Sequence, residues 1–129
     1  MKYTQSQIAL GKFIQAENAE RQARMDSTPG LICGMVCDDP DHWAGYGIYT
    51  IDGYKHYMAA CDNFELVRAI YGHKPAWNYD SMTLEEIEAD TEAMLERERA
   101  QEAADAADAE KLAAELGHDV ETLKRWEVV

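Results

Sequence analysis

Apolar residues recur at three- and four-residue spacing through most of this chain and bunch into a short continuous run at only one place, a pattern that predicts a mainly helical protein. Thr4 with Gln7 forms a capping box, and Ile8, Leu10, Phe13, Ile14 and Ala19 follow at helical spacing, so a first helix is expected from about residue 5 to 25. Its charges gather late, at Glu17, Glu20, Arg21 and Arg24, which makes its first half the core-facing part. Ser27-Thr28-Pro29-Gly30 ends it.

Leu31 to Cys37 is the one run that reads as a strand, and a lone strand needs a partner for its backbone. Either 47–51 supplies that partner in a short hairpin, or 31–37 is a short buried helix. Asp39 before Pro40 marks the start of a brief helix that breaks at Gly45 and Gly47. Thr50 caps a second short helix, from Ile51 to about Ala60, and Asp62 caps a third, from Asn63 to Tyr71, closed by Gly72. Pro75 forbids helix in the loop that follows, which Trp77 and Tyr79 are expected to pin down.

From Leu84 to Leu116 the chain has neither glycine nor proline. Thr83 and Glu86 form a second capping box before it, Gly117 follows it, and good helix formers fill it, so one helix of roughly 50 Å is expected. Leu84, Ile87, Thr91, Met94 and Leu95 make its first turns amphipathic, and these turns are expected to dock on the aromatic centre. Beyond Arg99 the small apolar positions are alanines until Leu112, a stretch expected to project into solvent or to pack closely on another helix. The fold class is therefore a small, mainly α domain with at most one short β hairpin (31–37 with 47–51), a long acidic helix (84–116) and a short C-terminal helix. Residues 1–80 form an aromatic-rich body, and residues 81–129 form the long helix plus a C-terminal hairpin, expected to pack on the body as one unit.

Charge sharpens this division. The 129 residues carry a formal charge of −13, with seven Lys/Arg against ten Asp/Glu in residues 1–80 and five against fifteen in residues 81–129. Such a surface repels nucleic acid and anionic membranes and attracts cations and basic proteins. Nine of the twelve aromatic residues lie between Trp43 and Tyr79, which marks the folded centre. No apolar run approaches the roughly 20 residues of a membrane span, no signal-peptide core is apparent, and three cysteines point to reduced thiols, so a cytoplasmic location is expected.

Chemistry is thinly signalled. Cys33, Cys37, His42 and Cys61 are ligands of the right type for zinc, but the gap of three between the first two departs from the usual knuckle, and no metal or other cofactor is expected. Asp38, Asp39 and Asp41 beside His42 are accounted for by capping and the helix dipole. Phosphate loops, nucleophile elbows, zincin histidines and calcium loops do not occur, so an enzyme is not expected.

Residues 112–127, with Ala113 four positions before Gly117 and then Val120 and Thr122-Leu123-Lys124-Arg125-Trp126, resemble the helix-turn-helix of MerR-like and excisionase proteins. That resemblance implies a second helix in the DNA major groove, with Glu121, Thr122, Lys124 and Arg125 facing the bases. The acidic helix ahead of it opposes phosphate contacts, and direct nucleic-acid binding is not expected. The alternative for this segment is a helical hairpin in which Leu112, Leu116, Val120, Leu123 and Trp126 close a small apolar knot.

In size, acidity and lack of catalytic motifs the chain is similar to small phage-encoded anti-defence proteins, among them anti-CRISPR and anti-restriction DNA mimics. The resemblance implies a non-enzymatic inhibitor whose carboxylates occupy a basic, nucleic-acid-handling surface of a host protein. The partner-binding residues expected on this basis are Glu92, Glu96, Glu98, Glu102, Asp105, Asp108 and Glu110. The alternatives are a DNA-binding regulator that uses the C-terminal segment, and an assembly protein that forms homodimers through the alanine-lined helix.

Overall fold

The computed structural model describes residues 2–117 and Arg125. The chain divides into two compact units, Met1–Leu84 and Glu85–Val129. The first contains α1 (Gln5–Ser27), α2 (Pro40–Ala44), α3 (Ile51–Tyr71) and a single 3-10 turn (Tyr79–Ser81); α4 (Leu84–Leu116) runs through the second. The described residues are mainly helical and contain no strand, so the hairpin allowed for at 31–37 and 47–51 does not form.

Local signals set most of the helix ends. Thr4 accepts from the Gln7 amide while the Gln7 side chain accepts from the Thr4 amide, which satisfies two of the donors that a helix start leaves free. Asp39 caps α2 through the Asp41 amide at 2.9 Å, with Pro40 in the first position, where its missing N–H costs nothing. Thr50 caps α3 through the Gly53 amide at 3.0 Å. Gly72 then ends α3 in the left-handed region, at φ +74°.

The two short helices expected over 51–60 and 63–71 are one helix. Asp62 is an exposed residue in its interior and caps nothing. A break at Cys61 would have left two sets of backbone groups to satisfy. Asp and Asn in a helix interior cost only a few tenths of a kcal/mol each, so continuity wins.

Leu10 and Ile14 on α1, Trp43 on α2, Ile48, and Tyr54 on α3 form the core of the first unit, with Phe13, Val36, Ile51, Tyr57 and Met58 packed around them. Trp43 is its hub, edge-on to Tyr54 at 5.0 Å and to Tyr57 at 5.8 Å between ring centroids. Its indole N–H, buried with the ring, donates to the Cys37 carbonyl at 2.7 Å.

Residues 31–37 are neither strand nor helix. The backbone pairing that a neighbouring strand would have supplied comes instead from side chains of α1. Asn18 holds both backbone groups of Val36, and the Cys33 amide donates to the Met25 sulfur at 3.1 Å. Ile32, at the far end of this loop, is 89% exposed.

In the second unit, α4 has the bounds that the sequence pattern predicts, and Gly117 follows it at φ +71°. Ile87 and Met94 are buried, Leu84 and Thr91 half-buried, and Leu95 exposed. Of the alanines beyond Arg99, Ala109 and Ala113 are buried while 100, 103, 104, 106 and 107 are exposed. No helix among the described residues is long and apolar enough to cross a membrane.

Candidate functional site

The seven carboxylates expected to meet a partner all lie on α4, and all are exposed except the half-buried Glu98. They do not share one face. At about 100° per residue, Glu92, Glu96 and Glu110 fall within about 40° of one another. By the same rotation Glu98, Glu102 and Asp105 fall within about 60° on another side, with Asp108 between the two groups. The first group is partly neutralised, because Arg99 donates to Glu92 at 2.8 Å. In the second, Asp105 accepts from Gln101 at 2.8 Å, and Arg97, Arg99 and Lys111 all lie outside its sector. Of the seven, Glu98, Glu102 and Asp105 thus form the group with no lysine or arginine of α4 in its own sector.

The remaining sequence candidates are dispersed. Cys33 and Cys61 are half-buried and Cys37 is exposed. His42 is stacked edge-on against Trp43 at 5.1 Å and Tyr46 at 5.3 Å. Among the described residues no three His, Cys, Asp or Glu side chains come together as a metal site. The aspartates near His42 are engaged in structure: Asp38 accepts from Gln15 at 3.0 Å, Asp39 caps α2, and Asp41 pairs with Lys2 at 3.0 Å. The Lys2 hydrogen bond holds the Asp41 carboxyl below its ordinary pKa, and the Asp41 bond raises that of Lys2. His56 Nε2 lies 2.8 Å from the Met82 carbonyl, a contact that tethers the segment before α4. Glu121, Thr122 and Lys124 lie outside the described residues, and Arg125 is helical and exposed.

The structure also contains a feature that the sequence pattern concealed. Tyr57, Ala60, Cys61, Phe64 and Glu65 stand at positions i, i+3, i+4, i+7 and i+8 along α3 and so form one stripe. With Tyr79 from the 3-10 turn they bound an open groove of about 210 Å³. Tyr79 is held by its hydroxyl, which donates to the fully buried Asn63 at 2.6 Å. The Cys61 thiol beside the Tyr57 hydroxyl, more than burial, raises the pKa of that hydroxyl. A helix break at 61–62 splits this stripe between two helices. Reading 51–71 as continuous would have exposed it.

Arg68, one turn beyond, places its guanidinium over the Phe64 ring at 6.0 Å and 3.9 Å from the Glu65 carboxylate. Comparison of the chain with protein-family models, with curated proteins and with solved structures returns no match.

Proposed function

We propose that this is a non-enzymatic acidic binding protein that uses the α4 carboxylates to occupy a basic, nucleic-acid-handling surface of a host protein, in the manner of phage anti-defence inhibitors. The observation that carries the reading is the concentration of charge on α4: twelve Asp/Glu against three Lys/Arg in thirty-three residues, with six of the seven candidate carboxylates exposed. Carboxylates at intervals along a stiff helix can take the place of phosphates on a cationic surface. Opposite charge steers the encounter, and salt weakens it because screening sets in within about 8 Å at physiological ionic strength. A cytoplasmic site of action belongs to the same proposal.

Two triple variants test it, Glu92→Gln with Glu96→Gln and Glu110→Gln, and Glu98→Gln with Glu102→Gln and Asp105→Asn. Each serves as bait in nuclease-treated host lysate at low and high salt. The parent chain captures a basic nucleic-acid-binding protein at low salt and releases it at high salt. The second variant loses more capture than the first, since its carboxylates have no cation in their own sector. Undiminished capture by a variant that combines all six changes overturns the reading.

A further inference from the structure

We propose that the α3 groove bounded by Tyr57, Ala60, Cys61, Phe64, Glu65 and Tyr79 receives one arginine side chain of the protein partner, its stem along the rings and its guanidinium at Glu65. The choice of arginine rests on the basic partner proposed above.

Size argues against the commoner occupants. Cofactor and small-molecule sites run to about 300–1,000 Å³. At about 210 Å³ the groove suits one long side chain. The groove itself is almost wholly apolar, and the Glu65 side chain, well exposed, sets its carboxylate at the rim, the arrangement that such a side chain requires. Three rings, an alanine methyl and a thiol make up the walls, and Glu65 is the one carboxylate among the lining residues. Arginine buries an apolar stem and keeps its charged end at a polar edge. That end gains from a ring face and from a carboxylate together.

The molecule already shows the preference. Arg68 lies over Phe64 and beside Glu65, so this ring and this carboxylate attract a guanidinium from within the chain. The pair is loose, at 3.9 Å with both side chains more than half exposed, and an incoming arginine can displace it. The formal charge of −13 favours the approach of a basic partner.

The test is an NMR titration of the isotope-labelled full chain with acetyl-Gly-Arg-Gly-amide, and in parallel with the same peptide carrying norleucine in place of arginine. The arginine peptide is expected to give saturable shifts at Ala60, Cys61, Phe64 and Glu65, and the norleucine peptide to bind about two- to fivefold more weakly. Glu65→Gln is expected to weaken the arginine peptide by a similar factor, and Arg68→Ala to tighten it by removing the resident cation. Equal binding of the two peptides overturns the inference. So do shifts confined to α4, or binding unchanged by both substitutions.

The Glu98→Gln, Glu102→Gln, Asp105→Asn chain separates this result from that of the α4 reading. Groove shifts that persist in a chain whose lysate capture is also undiminished would uphold the groove and overturn the role of α4. Groove shifts absent from a parent chain whose capture depends on α4 would do the reverse.

Discussion

Asn18 holds Val36 by both of its backbone groups, its Nδ2 donating to the carbonyl at 2.8 Å and its Oδ1 accepting from the amide at 3.0 Å. The same oxygen accepts from Arg21 at 2.7 Å, so the clamp is itself held in place from one turn along α1. Asn18→Ala is expected to destabilise the protein by about 1–3 kcal/mol, the cost of two half-buried hydrogen bonds with partners left behind. Urea unfolding measures the loss, and amide exchange at Val36 localises it. Asn18→Asp keeps the acceptor and loses the donor, so it is expected to be destabilising as well.

Gly72 ends α3 at φ +74°. Its amide donates to the Arg68 carbonyl at 2.9 Å, and nothing lies within 4 Å of where a Cβ would sit. The cost of Gly72→Ala is therefore conformational alone, and about 1 kcal/mol is expected in thermal unfolding. Gly34, which is also surrounded by open space and does not have a positive φ, serves as the control, and Gly34→Ala is expected to be near neutral.

The Tyr54 hydroxyl donates to Glu17 at 2.8 Å, and burial, followed by that bond, raises its pKa above the ordinary 10.0. A phenol whose pKa is raised by folding contributes stability that is whole below pH 10 and is lost as the pH climbs through the higher folded value. The parent chain should therefore lose stability steeply in strong alkali. Tyr54→Phe should be less stable at neutral pH and flatter above pH 10, as followed by circular dichroism against urea at several pH values.

Arg99 and Glu92 are close, at 2.8 Å, yet both side chains are about 60% exposed. An ion pair in that setting contributes about 0–1 kcal/mol. Arg99→Ala is expected to change unfolding free energy by no more than this, while strengthening salt-sensitive capture of a basic partner by releasing Glu92. A large loss of stability would show that Arg99 serves the fold.

What the sequence determined by itself was whatever depends on near neighbours. Thr4 with Gln7, Asp39 with Pro40, and Thr50 announce helix starts because a cap is a contact over two or three residues. The 33-residue α4 is legible at both ends for a related reason: an unbroken run of good helix formers leaves no cheaper conformation. The acidic character of that helix, on which the proposal rests, is likewise read from composition alone.

Tertiary structure decided the rest. Residues 31–37 have a strand's composition, but Asn18 and Met25, 18 and 8 residues away in sequence from the amides they accept from, supply its hydrogen bonds from α1, and no local pattern reveals that pairing. Asp62 has a cap's chemistry but sits inside α3, where continuity spares the backbone groups that a break would expose. The groove requires both that continuity and Tyr79, whose hydroxyl meets Asn63 from 16 residues further along. The stripe is periodic within α3, but the groove that it bounds with a distant turn has no local signature, because its shape exists only once the chain has folded.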